Sequence, residues 1–184
     1  MNMIASRDQI RATFIRWSLL FVPAFVLLGM LSSQLSGSGA DDPWFAALVK
    51  PAAYPPAAAF GLVWTVLYAL MGFSLALVVS AKGAAGRGLA TLVFFVQLAL
   101  NLAWSPLFFG GHRIAGGLYL ILALDVAVVV TIALFWRVRP GAALLLLPYL
   151  LWIVFASYLN WAFLQANPDM DGQEVSGAAQ RVEF

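Results

Sequence analysis

The chain has 184 residues, of which 63% are hydrophobic and 10% are charged, with a formal net charge of +2. Soluble domains are about 45–50% apolar and about 25% charged, so the composition excludes an ordinary soluble protein. Cysteine is absent, which excludes disulfides, iron–sulfur clusters and thiolate metal sites.

The first 16 residues form a polar, basic leader that we expect on the membrane surface. The apolar stretch after it has an alternative interpretation as a signal peptide, with Ser36-Gly37-Ser38-Gly39-Ala40 as the cleavage region. The apolar core of a signal peptide usually has about 7–15 residues, whereas this stretch runs from 17 to 35. We therefore interpret it as a first membrane helix.

Further apolar stretches follow, each close to the roughly 20 residues that a helix needs to cross a bilayer. Lipid offers the backbone no hydrogen-bond partners, so such stretches must be helical. The sequence therefore predicts an all-α membrane protein, a five-transmembrane-helix bundle over residues 17–164. The predicted helices are 17–35, 57–80, 89–109, 114–136 and 142–164.

The longest connection, residues 36–56, carries Pro51, Pro55, Pro56 and the aromatic residues Trp44 and Tyr54, which favours a stiff lid over a flexible linker. The polar C-terminal tail, residues 165–184, is expected to be disordered from Ala166 onward.

Basic residues in short loops mark the cytoplasmic side of a membrane. If successive helices cross the membrane in opposite directions, one side of the bundle is rich in basic residues and the other side is poor in them. The sequence thus predicts an integral, multi-pass protein with the N-terminus inside and the C-terminus outside; inner versus outer membrane stays undecided. The rich side has Arg7, Arg11, Arg16, Lys82, Arg87, Arg137 and Arg139, and the poor side has Lys50, Arg113 and Arg181.

Bulky aromatic and polar side chains share one face on each of three predicted helices. Helix packing explains any single one of them, but rings facing one another from three helices favour a lined cavity. Buried indole N–H and phenol O–H groups need partners, which Gln97, Asn101 and Asn160 can supply. The faces are Phe60, Trp64, Tyr68 and Met71; Phe94, Gln97, Asn101, Trp104 and Phe108; and Tyr149, Trp152, Ala156, Leu159 and Asn160.

Asp125 lies at the centre of the fourth predicted helix, where a carboxylate costs roughly 2.5–3.5 kcal/mol on the insertion scale. It is either a hydrogen-bonded structural acid, the interpretation we favour, or a ligand contact or proton relay. Gln97 and Asn101 lie at its depth if the third and fourth helices form a hairpin. The sequence has no P-loop, no Ser/His/Asp set and no His/carboxylate cluster, so we expect no metal site, no required cofactor and no nucleic-acid partner.

Motifs on the lid and on three helices resemble the translocator protein family, also called tryptophan-rich sensory proteins or peripheral benzodiazepine receptors. Residues 50–56 and 63–68 are similar to its KPxxxPP…WxxLY signature, residues 97–110 to its third-helix motif and residues 148–160 to its fifth. The resemblance implies a five-helix bundle, usually a homodimer through helix three, that binds porphyrins, sterols and benzodiazepine-type drugs under the lid. It assigns pocket positions to Trp64, Asn101, Trp104, Trp152 and Ala156.

The sequence departs from that family at two places. Ala53 stands where most members have a lid tryptophan, and Trp161 and Gln165 replace the tyrosine and basic residue of the fifth-helix sterol motif. The first departure puts porphyrin stacking in the lid in doubt, although Tyr54 can partly substitute. The second means that sterol specificity is not transferred, since that motif is a weak pattern in any protein.

The leading hypothesis is a membrane receptor or sensor that binds tetrapyrroles (protoporphyrin IX, haem) and other flat hydrophobic ligands within the bundle. The alternatives are a light- or oxygen-dependent porphyrin-degrading enzyme, with Trp64 and Trp152 as electron donors, and a transporter of porphyrin or sterol. Membrane lipid is a further partner. The candidate ligand-binding residues are Tyr54, Phe60, Trp64, Tyr68, Gln97, Asn101, Trp104, Asp125, Trp152, Ala156, Leu159 and Asn160.

Overall fold

The computed structural model describes residues 7–37 and 42–173. Over these ranges the chain is helical without strands, and five helices are long and apolar enough to cross a membrane. The predicted all-α, five-helix fold is therefore confirmed. The helices are α1 (Arg7–Leu35), α2 (Pro43–Ala47), α3 (Ala57–Ser80), α4 (Arg87–Ser105), α5 (Ile114–Val138), α6 (Pro140–Leu145) and α7 (Leu147–Ala166).

Several helix ends differ from the predicted bounds. Residues 7–16 continue α1 instead of forming a separate leader, because apolarity marks only the part of a helix that lies in lipid. The fifth predicted helix is divided into α6 and α7 at Leu146, just before Pro148, which lacks a backbone N–H and restricts the residue that precedes it. α4 ends at Ser105 and continues as a π-helical turn over Pro106–Gly110.

The helices pack as neighbouring pairs: α1 lies along α3, α4 along α5, and α5 along α7. The α1–α3 pair packs closely at Gly72, where an added Cβ would lie 2.8 Å from the backbone of Val22. Small residues let membrane helices approach in this way. Among the described helices, α1 is the most peripheral of the membrane-spanning ones.

The lid and the start of the tail are folded. The side chain of Asp42 caps α2 by accepting a hydrogen bond from the Phe45 backbone N–H at 3.1 Å. The expectation of disorder is wrong for the part of the tail up to residue 173, because Pro168–Met170 forms a short 3-10 helix and Gly172 N donates to His112 O at 2.7 Å. The predicted leader, lid and tail also include residues 1–6, 38–41 and 174–184, which lie outside the described ranges.

Candidate functional site

A cavity of about 350 Å³ lies beneath the lid, between α1, α3, α4, α5 and α7. Its volume is within the roughly 300–1,000 Å³ of small-molecule sites. None of the described residues that line it is Asp, Glu, Lys, Arg or His. The predicted ligand-binding residues that line it are Tyr54, Phe60, Trp64, Tyr68, Asn101, Trp104, Trp152, Ala156, Leu159 and Asn160.

Aromatic rings from α3 and α7 form one wall of this cavity. The Trp64 ring centroid lies 5.4 Å from that of Tyr68 and 6.4 Å from that of Tyr149. Phe60 meets Trp152 edge to face at 5.7 Å. These separations are within the 4.5–7 Å range in which aromatic pairs attract, so the rings hold one another in place, with Tyr149 behind the cavity-lining Trp64.

A chain of buried hydrogen bonds joins α3, α4 and α7 at the cavity floor. Tyr68 Oη donates to Asn101 Oδ1 at 2.6 Å, and Asn101 Nδ2 donates to Tyr149 Oη at 3.0 Å. Tyr149 Oη donates in turn to Gln97 Oε1 at 3.0 Å. This confirms the predicted convergence of the three helix faces. It also places Gln97 behind Tyr149, so Gln97 supports the floor and does not line the cavity.

Trp104 is fixed by a second amide. Its Nε1 donates to Asn160 Oδ1 at 3.1 Å, and Asn160 Nδ2 donates to Ile114 O at 2.8 Å. Gly117 allows this arrangement, because a Cβ there would lie 2.9 Å from Asn160 Oδ1 and 3.4 Å from Trp104 Nε1. The amide of Asn160 therefore orients one indole of the site and ties α4 and α7 to α5.

Trp152 differs from Trp104, because no described amide side chain binds its indole N–H. Its Nε1 is enclosed and has no hydrogen-bond partner within the described part of the chain. A buried donor without an acceptor costs about 1–3 kcal/mol. Ring contacts with Phe60 and Phe155 hold the indole instead.

Asp125 does not line the cavity. Its Oδ2 accepts a hydrogen bond from Ser157 Oγ on α7 at 2.8 Å, whereas the sequence suggested Gln97 or Asn101 on α4. The reason is helical geometry: Leu124 lines the cavity, and the next residue is rotated by about 100° away from it. The contact with Ser157 supports a structural acid between α5 and α7.

The lid supplies the roof of the cavity. Phe45 and Tyr54 line it, and both rings contact Phe163 of α7, at 5.9 and 5.5 Å. Lys50 Nζ donates to Leu48 O at 3.0 Å and to Phe45 O, and lies 4.3 Å from the Phe45 ring centroid. Burial lowers the pKa of Lys50 and raises the pKa of Tyr54. Ala53 is exposed and does not line the cavity.

Sequence reasoning missed the contribution of α1, which lines the cavity with Gly29, Met30 and Ser32 among others. An added Cβ at Gly29 would overlap the Tyr68 ring, so the absence of a side chain at Gly29 leaves space for that ring. The available signal was Ser32-Ser33-Gln34 at the end of an apolar stretch. That signal does not separate a cavity wall from an ordinary helix end near the membrane surface.

The TspO/MBR family matches residues 21–165 of the chain. The chain belongs to this family. Its TspO/MBR relatives include the tryptophan-rich protein TspO of Archaeoglobus fulgidus, which is 44% identical over 78% of this chain and 92% of its own length. The translocator protein of Homo sapiens is 37% identical over 67% of this chain and 75% of its own. The tryptophan-rich sensory protein of Cereibacter sphaeroides is 35% identical over 68% and 78%.

Membership of the TspO/MBR family, together with the five long apolar helices, identifies an integral, multi-pass membrane protein. The matched range contains every residue that lines the cavity. The site is therefore part of the shared fold and not an addition to it.

Proposed function

We propose that this protein is a membrane receptor or sensor that binds tetrapyrroles, such as protoporphyrin IX or haem, and other flat hydrophobic ligands in the cavity. The observation that carries the proposal is an uncharged cavity whose rings are fixed before any ligand arrives. Flat ligands gain about 0.5–1.5 kcal/mol from each well-placed aromatic contact beyond the area they bury. Sterols and benzodiazepine-type drugs are further candidate ligands.

The names of the relatives support two different roles. One is a sensory protein and another a translocator protein. The sensory role fits this chain better, since none of the described residues that line the cavity is Asp, Glu, Lys, Arg or His, the side chains that usually couple transport to an ion gradient. Trp64 and Trp152 also line the cavity, so light- or oxygen-dependent degradation of a bound porphyrin by these indoles is the reaction that must be tested against plain binding.

Titration of the purified protein with protoporphyrin IX and haem tests binding, by absorption and by quenching of tryptophan fluorescence. Trp64→Leu and Trp152→Leu should each weaken binding by about 0.5–1.5 kcal/mol beyond the effect of lost area. Trp136→Leu is the matched control, because Trp136 is 53% exposed near the end of α5 away from the lid. Equal weakening by all three substitutions would refute binding in this cavity.

The fate of the ligand separates the three roles. Recovery of intact porphyrin after dissociation, in light and in air, is expected for a receptor. Consumption that needs light or oxygen and disappears in Trp64→Leu would identify an enzyme. Porphyrin flux across protein-containing vesicles, above that of empty vesicles, would identify a transporter.

We also propose a homodimer through α4. Ala99 and Ala103 are exposed on this helix with the small-xxx-small spacing that allows membrane helices to pack closely. Ala103→Leu should weaken dimerisation in mild detergent while the monomer stays folded. An unchanged dimer mass would remove α4 from the interface.

The proposed orientation places the lid end outside and the N-terminus inside. Because the chain has no cysteine, a single introduced cysteine reports its own side of the membrane. If the protein lies in the inner membrane, Asp169→Cys should react with an impermeant thiol reagent in intact spheroplasts, and Lys82→Cys should not. The reverse pattern would invert the topology.

A further inference from the structure

The start of the C-terminal tail is hydrogen-bonded to the lid through one amide side chain. Asn167 Oδ1 accepts a hydrogen bond from Val49 N at 2.7 Å, and Asn167 Nδ2 donates to Val49 O at 3.0 Å. The same Nδ2 also donates to Phe163 O at 2.9 Å in the last turns of α7. Asn167 is 5% exposed, so these bonds form away from water and bind one lid residue to the end of α7.

A second set of contacts joins the tail to the lid and to the loop before α5. Trp44 Nε1 donates to Met170 O at 3.1 Å, and the Trp44 ring stacks on His112 at 4.7 Å. Gly172 N donates to His112 O at 2.7 Å. Trp44 is 1% exposed, so the tail covers the lid's most deeply buried ring.

These contacts lie on both sides of Phe45, one of the two lid residues that roof the cavity. Trp44 directly precedes Phe45, and Val49 lies between Phe45 and Tyr54. Val49 belongs to the backbone that joins Phe45 to Tyr54, so its two hydrogen bonds to Asn167 oppose a joint movement of these rings away from the cavity.

We propose that residues 167–172 form a latch that holds the lid over the cavity, with Asn167 as its main positioning residue. The latch sets how fast a ligand enters and leaves, and it acts by fixing Val49 and not by touching the ligand. The kinetic part rests on the proposed function. The lid-opening part does not, because it concerns hydrogen bonds within the chain.

Hydrogen exchange of the lid in the full-length protein tests the latch without any ligand. Asn167→Leu removes both bonds to Val49 at similar side-chain size, and Val49 N–H should exchange about tenfold faster. Asn167→Asp keeps the acceptor for Val49 N and should restore part of the protection. Gln165→Leu is the matched control, since Gln165 is an exposed amide at the end of α7, and it should change nothing.

Stopped-flow mixing with protoporphyrin IX tests the consequence for ligand exchange. Asn167→Leu should raise the association and dissociation rates together, so that the Kd changes less than either rate. Trp44→Phe keeps the ring on His112 but removes the bond to Met170, and should give a smaller change in the same direction.

The latch and the proposed function are refuted by different results. Val49 exchange in folded Asn167→Leu equal to that in Gln165→Leu would overturn the latch. If Asn167→Leu does not fold, unchanged lid exchange in Trp44→Phe overturns it instead. Absence of porphyrin binding by the unmodified protein would refute the proposed function, while Val49 exchange would still decide whether the latch exists.

Discussion

The two halves of the bundle use aromatic residues in opposite ways. Away from the lid, the Phe94 ring of α4 stacks on the Phe135 ring of α5, with centroids 5.6 Å apart and planes at 10°. The Phe25 ring of α1 lies 5.7 Å from Phe94. Phe94 and Phe135 are fully buried and fill the space between helices. Under the lid, Trp64, Trp152 and Trp104 instead surround a cavity.

The difference is in how the rings are held. Phenylalanine has no polar atom, so packing against other side chains is what positions its ring. Tyr68, Tyr149 and Trp104 are tied by hydrogen bonds to Asn101 and Asn160. Amide anchors therefore hold three of the rings beneath the lid, whereas Trp152 is held by ring contacts with Phe60 and Phe155.

The largest expected effect comes from breaking the packed half. Phe94→Ala should lower the free energy of unfolding by about 3 kcal/mol, the lower end of the usual cost of truncating a buried phenylalanine, because lipid removes part of the hydrophobic term. Unfolding in mixed micelles, followed by circular dichroism, measures it.

Phe95→Ala is the control for that substitution, since the Phe95 ring is 43% exposed on the same helix. Tetrapyrrole affinity should be the same in Phe94→Ala, Phe95→Ala and the unmodified protein. A loss of affinity in Phe94→Ala would mean that the two halves are coupled and not independent.

The next effect tests the anchors of the lid half. Asn101→Leu leaves the buried Tyr68 hydroxyl without its acceptor and should cost about 1–3 kcal/mol of stability. Gln97→Leu should cost less, because Gln97 Nε2 already lacks a partner in the described structure. The same unfolding measurement compares the two.

Ligand affinity is a second measurement that compares Asn101→Leu with Gln97→Leu. Asn101→Leu should weaken protoporphyrin IX binding, because Asn101 lines the cavity, whereas Gln97→Leu should not. If both variants weaken binding equally, contact with the cavity does not distinguish Asn101 from Gln97, and the hydrogen-bonded network affects binding as a whole.

The smallest expected change in stability comes from filling the cavity. Ala156→Phe adds a ring where Ala156 lines open space, and should weaken tetrapyrrole binding at least about tenfold, or roughly 1.4 kcal/mol, with little change in stability. Ala123→Phe, at an exposed position of α5, should leave affinity unchanged. Normal binding by Ala156→Phe would place the ligand elsewhere.

Much of the site could be predicted because helical periodicity is a local property. The faces that carry Trp64, Asn101 and Trp152 follow from a rotation of 100° per residue, and all three residues line the cavity. Asp125 shows where this reasoning stops. Its depth was predictable, but its partner Ser157 depends on how α5 is rotated against α7, which no single helix encodes.

The sequence by itself determined the fold class, the membrane-spanning helices and the faces that meet, because hydrocarbon forces the backbone into helices and periodicity fixes their faces. Only the tertiary structure decided that α1 forms part of the cavity wall, that the Trp152 indole has no hydrogen-bond partner among the described residues, and that Asn167 bonds to Val49. These features join residues far apart in the chain. Their geometry depends on helix rotation and packing, which no local pattern specifies.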